Sequence, residues 1–182
     1  MENRMLLLVD IEDRPLGLAE KMEAHRKGLL HRAFSLFLLD GVGRLLLQRR
    51  AMQKYHSPGL WTNACCGHPA PGYTLVDFAG LRAREELGVR AEQVQAAGSF
   101  LYYRDFGSGL KEYELDHVLV GRTTGPVQAD PAEAMDTVWV DLSWAAEDLR
   151  LHPERYTAWY PTAFGLAWPL MKGMVDKWGK TQ

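Results

Sequence analysis

Two apolar runs, Arg32 to Leu39 and Arg44 to Arg50, meet across Asp40-Gly41-Val42-Gly43. Asp and Gly between such runs are a strong signal for an antiparallel hairpin, which commits the first half of the chain to a sheet. A second hairpin is expected from Ser99 to Arg104 and Lys111 to Gly121, across Phe106-Gly107-Ser108-Gly109. Between them Thr74 to Leu87 reads as a helix. Thr74 with Asp77 three residues on resembles a capping box, and Gly88 stands at the C-terminal stop. Shorter signals predict a strand at Met5 to Val9, a turn-rich connection from Asp10 to Gly17 and a helical turn or two from Leu18 to His25. A strand at Val138 to Val140 and helices at Ser143 to Leu149 and near Ala163 to Trp178 complete the pattern. These elements lack a regular βαβ rhythm, so the expected fold is an α/β sandwich around a mixed, mostly antiparallel sheet. At 182 residues, with no Pro/Gly-rich linker and no internal repeat, the chain reads as one domain over 1–182.

Several classes are disfavoured. A net charge of −2 gives no hint of a nucleic-acid partner. No stretch approaches about 20 uninterrupted apolar residues, so no membrane-spanning helix is expected. The start, Met1-Glu2-Asn3-Arg4 before a short apolar run, lacks the long apolar core of a signal peptide. The two cysteines are adjacent and cannot form an ordinary structural disulfide, which fits a reducing, cytoplasmic location.

The chemistry concentrates in Thr62-Asn63-Ala64-Cys65-Cys66-Gly67-His68-Pro69. Thr, Asn, Gly and Pro predict a loop rather than a strand or helix interior, and the loop sets a thiol beside a potential metal ligand. Gly67 permits close backbone approach at that point. Two readings stay open from these residues alone: a turn whose cysteines are small buried hydrophobes, or a reactive thiol.

A second cluster, Glu112-Tyr113-Glu114-Leu115-Asp116, reads as a strand. Its pleat sends Glu112, Glu114 and Asp116 to one face and Tyr113, Leu115 and His117 to the other. Three carboxylates in a row repel one another unless protons or cations intervene. An edge strand with a solvated face and a metal or acid–base site both remain open. His25, His31, His68, Glu112 and Glu114 form an N/O-rich ligand set only if the fold gathers them, and such a set suits Mn or Mg, or Zn with expanded coordination. His56, His117 and His152 are left outside it. Arg49, Arg50, Lys54, Lys21 and Arg82 are either solvated surface charges or the cations that a diphosphate needs. Glu85 and Glu86 are the helical residues best suited to a metal bridging to phosphate.

The order of Thr62-Asn63…Cys66-Gly67-His68-Pro69, Arg84-Glu85-Glu86-Leu87-Gly88-Val89 and Glu112-Tyr113-Glu114 strongly resembles type I isopentenyl-diphosphate isomerase, from roughly Leu6 to Trp159. The resemblance implies a Nudix fold, a Nudix-like α/β/α sandwich, and interconversion of isopentenyl and dimethylallyl diphosphate for isoprenoid biosynthesis. It implies Cys66 and Glu114 as catalytic residues, with Tyr103 as an active-site tyrosine. It assigns His25, His31, His68, Glu112 and Glu114 to a first site for Mn2+ or Zn2+, and places Glu86 at a Mg2+ bound with the diphosphate. Cys66 also falls among its metal-site residues. Lys21, Arg50, Lys54 and Arg82 match positions near the phosphates, and Trp159 matches an aromatic near the C-terminus. That aromatic usually follows Thr/Ser-Pro, whereas Tyr156-Thr157-Ala158 precedes Trp159 here. Cys65 receives no role.

A complete Nudix box reads G-x5-E-x7-R-E-U-x-E-E-x-G-U, where U is aliphatic. Counted from Gly67, its first glutamate falls on Tyr73 and its Arg-Glu pair on Leu81-Arg82, so only Glu85, Glu86 and Gly88 fit well. The damaged box counts against the alternative, a Nudix-type pyrophosphohydrolase. The isomerase chemistry also explains the residue types. Protonating an unactivated alkene gives a tertiary carbocation, so the site needs an acid, a base, exclusion of water and an aromatic face for the cation. A non-catalytic, metal-stabilised binding module is the third reading. The metal, the oligomeric state and the direction in which each acid–base group works are not legible in the residues.

Overall fold

The computed structural model describes residues 5–107 and 109–178. The expectations placed on Met1 to Arg4 and on Ser108 lie outside the described residues. The first hairpin forms where the sequence puts it, from β3 (His31–Leu39) and β4 (Leu45–Arg50). The Asp40 carboxylate closes the turn by accepting the N–H groups of Val42 at 3.0 Å and Arg44 at 2.8 Å. The two strands are registered only at Leu39 and Leu45, and then part company. β4 continues with β9 (Ala134–Val140) and β5 (Trp61–Thr62), while β3 runs parallel to β8 (Lys111–Arg122) along its whole length.

That divergence leaves one edge of β3 to be shared. Near His31 it meets β1 (Met5–Val9), and at Phe34 to Leu36 it meets β6 (Cys65–Gly67). β1 also pairs with β2 (Pro15–Glu20), and β8 pairs with β7 (Glu92–Asp105). Among the described residues, nine strands form one curled sheet in which β3–β8 is the parallel strand pair. The expected mixed, mostly antiparallel architecture is the one observed.

β3 and β4 read as apolar runs without alternation because both faces of the sheet are covered. Phe34, Leu36, Leu38 and Leu46 pack against α2 (Leu75–Leu87), through Ala79, Ala83 and Leu87. Phe37, Leu39, Leu45 and Leu47 pack against α4 (Tyr160–Trp178) and its neighbour α3 (Leu142–Leu151). This is the α/β/α sandwich. Truncating one of these fully buried leucines to Ala costs about 2–5 kcal/mol.

α2 keeps its signalled ends. Thr74 accepts the Asp77 N–H at 3.1 Å and returns its hydroxyl to the Asp77 carboxylate at 2.7 Å. Gly88 closes the helix at φ +67°, where an added Cβ would also lie 3.1 Å from the Gln128 carbonyl oxygen. Conformation and space both demand glycine there.

Four expectations need correction. Leu18 to Glu20 is strand rather than helix. β2 hydrogen-bonds to β1, Leu16 and Leu18 are exposed rather than forming a core-facing stripe, and the helix α1 (Lys21–Lys27) starts only where Glu20 caps the N–H of Glu23. The cysteine segment is not all loop, because the open edge of β3 draws Cys65–Gly67 into a ladder. β8 is an interior strand between β7 and β3, so its carboxylates do not belong to a solvated edge. The strands β7 and β9 begin earlier than predicted, at Glu92 and Ala134. No helix among the described residues is long and apolar enough to cross a membrane.

Candidate active site

β3 organises the site because its two flanking strands carry the two candidate acid–base groups. Ser35 lies opposite Cys66 on β6, and His31 lies opposite Glu114 on β8. The adjacent cysteines separate by the pleat: Cys65 is fully buried in the core under α2, while Cys66 lines the cleft. The cleft holds about 170 Å³ and also collects Lys21, Arg50, Lys54, His68, Arg82, Glu86, Glu112, Glu114, Asp116 and Trp159. Most of the residues singled out from the sequence therefore meet.

Among the described residues, the ligand nitrogens of His25, His31 and His68 lie within 4.8 Å of one another. His31 bonds Leu29 O through Nδ1 at 2.8 Å, which leaves Nε2 to face the cluster. That Nε2 and both ring nitrogens of His25 have no hydrogen-bond partner. Burial, reinforced by the neighbouring imidazoles, pushes His25 down to about 3. Burial pushes His68 down to about 4, against the pull of Glu114. Both are thus neutral near pH 7, the form that binds metal. Glu114 accepts from His68 Nε2 at 2.8 Å and lies 3.7 Å from His31 Nε2. Burial opposes its ionisation, but these imidazoles outweigh it and hold the carboxyl below the usual range. Three convergent imidazoles with orphaned nitrogens beside a carboxylate fit a divalent cation.

The thiol is held differently. Burial, with Asp116 nearby, pushes Cys66 up to about 12, so it carries its proton at neutral pH. Asn63 uses Nδ2 to donate to Leu36 O at 3.2 Å and Cys65 O at 2.8 Å. Its Oδ1 then accepts the Cys66 thiol at 3.3 Å, as well as the Thr62 hydroxyl at 2.9 Å. Ser35 Oγ stands 3.5 Å from the sulfur and donates to Asp116 at 2.8 Å.

Paired cations also line the cleft. Arg82 grips Glu86 at 2.6 Å and Glu85 at 2.6 Å, and Lys54 pairs with Glu133. Burial, countered in part by Arg82, pushes Glu86 up to about 7, and a bound cation would favour its charged form. Arg50 stacks over the Trp159 ring with its guanidinium carbon 5.5 Å from the centroid, and Lys21 lies over Tyr55 at 5.3 Å.

Tyr103 does not reach this site. The residue is 56% exposed, and its ring meets Tyr113 edge-on at 5.7 Å. The neighbouring Tyr102 lies opposite Glu114, is buried, has an unpartnered hydroxyl and sets its ring 6.1 Å from Trp159. The pleat reverses between adjacent residues, so an offset of one position exchanges the inner tyrosine for the outer.

His56, outside the ligand set expected from the sequence, lines the cleft, with Nε2 2.9 Å from Glu112. Nothing in its local spacing signals this, because Glu112 lies on a distant strand. Glu133, another lining residue, gave no signal either. His117 does face away, 3.2 Å from Asp13, and His152 pairs with Glu154 on the surface.

A family model described as NUDIX domain matches residues 29–160. "Isopentenyl-diphosphate Delta-isomerase 2" of Aromatoleum aromaticum is 50% identical over 159 residues, covering 87% of this chain and 83% of that protein. "Isopentenyl-diphosphate Delta-isomerase" of Burkholderia multivorans is 47% identical over 160 residues, covering 88% of this chain and 90% of that protein. Among solved structures, the MutT protein of Methanosarcina mazei Go1 superposes with a TM-score of 0.59 at 19% identity. It covers 75% of this chain and 91% of that one, a likeness of fold alone.

Proposed function

Since this chain belongs to the isopentenyl-diphosphate Delta-isomerase family and carries its NUDIX domain, we propose that Cys66 and Glu114 form the acid–base pair for its reaction. The protein interconverts isopentenyl and dimethylallyl diphosphate. One proton is added to the alkene and another is lost from the neighbouring carbon chain, by way of a tertiary carbocation. In one direction one member of the pair gives a proton and the other takes one. In the reverse direction the roles exchange.

The observation that carries this reading is the convergence of the two groups. Strands on either side of β3 bring Cys66 and Glu114 to one cleft that also holds Trp159 and four basic side chains. Lys21, Arg50, Lys54 and Arg82 bind the diphosphate, whose remote binding energy holds a small apolar unit in position. The Trp159 face steadies the cation, worth about 2 kcal/mol or more when desolvated. Tyr102, opposite Glu114 in the ladder, is the tyrosine we assign to proton exchange with it, in place of Tyr103.

His25, His31, His68, Glu112 and Glu114 would hold a divalent ion, Mn2+ or Zn2+, and Glu86 would serve a Mg2+ that accompanies the diphosphate, an ion for which the protonated Cys66 thiol is not a suitable ligand. Such ions supply charge that fixes the carboxylates and neutralises phosphate oxygens. The chain's own residues orient the substrate, exclude water and carry the protons.

The test is turnover of isopentenyl diphosphate with Mg2+ in D2O, followed by NMR. Deuterium is expected in the methyl group newly formed in dimethylallyl diphosphate, with the diphosphate intact, and Glu114→Gln should stop both uptake and isomerisation. Release of phosphate without deuteration of carbon would refute the reading in favour of a pyrophosphohydrolase.

A further inference from the structure

His56 stands apart from the imidazole cluster, yet it is fixed on every side. Its ring stacks on Phe106 at 4.8 Å with an interplanar angle of 29°. Trp159 meets it edge-on at 5.7 Å and Tyr55 at 4.6 Å. The backbone around it is constrained too. Arg50 Nη2 donates to its carbonyl at 3.2 Å, and Ser57 turns the chain at φ +49°, a conformation uncommon outside glycine. Its Nε2 lies 2.9 Å from Glu112 Oε1, with both side chains nearly excluded from water, at 6% and 5% exposure.

We propose that His56 is a positioning residue of the metal centre: its Nε2, 2.9 Å from Glu112 Oε1, pairs with the carboxylate and holds it in place before an ion arrives. This rests on the reading of Glu112 as a metal ligand. A carboxylate only accepts, so the Nε2 that lies 2.9 Å from Glu112 carries the proton, and the Ser57 hydroxyl, 3.4 Å from Nδ1, can donate to the other ring nitrogen. A free Glu side chain populates several rotamers, and holding one of them removes that entropy from the cost of binding. Carboxylate ligands are commonly oriented by such an outer hydrogen bond, and losing it typically weakens metal binding about 10–100-fold. The aromatic stack makes the ring rigid, so its place beside the carboxylate does not depend on the loop alone.

The experiment titrates the protein, without diphosphate, with Mn2+ alone by calorimetry, and circular dichroism reports the fold of each variant. His56→Phe keeps the ring and removes the donor. It should weaken Mn2+ binding by about 10–100-fold, while His56→Gln, which keeps an N–H, stays within a few-fold of the parent. In a Glu112→Gln background, His56→Phe should cause no further loss. Should the Phe variant not fold, His56→Leu takes its place with the same expectation. Unchanged affinity in a folded His56→Phe or Leu protein overturns the proposal and leaves His56 a packing residue. So does equal weakening in His56→Phe and His56→Gln, which would assign the effect to the ring. If Glu112→Gln itself binds Mn2+ as tightly as the parent, the ligand reading of Glu112 fails and this inference with it. If Glu112→Gln binds weakly and His56→Phe does not, only the inference fails.

Discussion

Trp159 donates its indole N–H to Asn63 Oδ1 at 3.3 Å, and the same oxygen accepts the Cys66 thiol at 3.3 Å. The aromatic wall of the cleft and the Cys66 thiol are thereby set by one fully buried amide. Behind it the Thr157 hydroxyl donates to Thr62 Oγ1 at 3.0 Å, tying the segment before α4 to the segment before β6.

Asn63→Ala should therefore lower kcat more than it raises KM. Among the described residues, the basic side chains proposed to bind the diphosphate make no hydrogen bond to Asn63, while both the thiol and the indole lose their shared partner. A loss of at least about tenfold in kcat is expected, with about 1–3 kcal/mol of stability from the unpaired buried groups left behind. Steady-state kinetics alongside urea unfolding checks both numbers. A variant whose KM rises while kcat holds would contradict the arrangement.

Cys66→Ala should abolish turnover, whereas Cys65→Ala should keep most of it. The two thiols face opposite sides of β6: Cys66 the cleft, Cys65 the core beneath α2. The Cys65 change should appear instead as about 1 kcal/mol of lost stability, a usual size for a small core truncation. Comparable loss of activity in both, with circular dichroism unchanged, would remove Cys66 from its role.

Treatment with a chelator should abolish activity and lower the melting temperature, and Mn2+ or Mg2+ should restore activity. Unliganded, His25 and His31 retain buried nitrogens without partners, so an ion that binds only the folded chain stabilises it, by about 2.7 kcal/mol at 100 times its Kd. Full activity in protein shown to be metal-free by elemental analysis would rule out this dependence.

His117 offers a pH test away from the reaction. Burial lowers its pKa below the usual histidine value, although Asp13 pulls the other way. The unfolded chain therefore binds more protons than the folded one between the folded pKa and about 6.5. Its contribution to stability is absent below that interval and grows as pH rises through it. His117→Gln should flatten the rise in stability on the acid side of about pH 6.5, measured by urea unfolding with a chelator present throughout. An unchanged slope would show that His117 does not titrate differently on folding.

Sequence alone settled whatever depends on neighbours along the chain. The Asp-Gly turn after Leu39 and the Thr74 and Gly88 ends of α2 are local devices, and each formed as read. The alternation of Glu112, Glu114 and Asp116 toward one face is likewise a property of the pleat, and all three line the cleft. The same period explains the miss at Tyr103: matching by resemblance tolerates an offset of one, whereas a strand does not.

Tertiary structure decided what depends on strand partners. β8 holds its carboxylates inside the molecule only because β3 and β7 pair with its two edges. Cys65–Gly67 is strand only because β4 leaves β3 after one registered pair and frees the edge that β6 takes. His56 meets Glu112 across 56 positions of sequence, a contact that no local spacing encodes. Backbone turns and caps close within a few residues and are written in side-chain type. Pairing edges and buried ion pairs are fixed by which segments compete for the same hydrogen bonds, and that competition is resolved only when the whole sheet has formed.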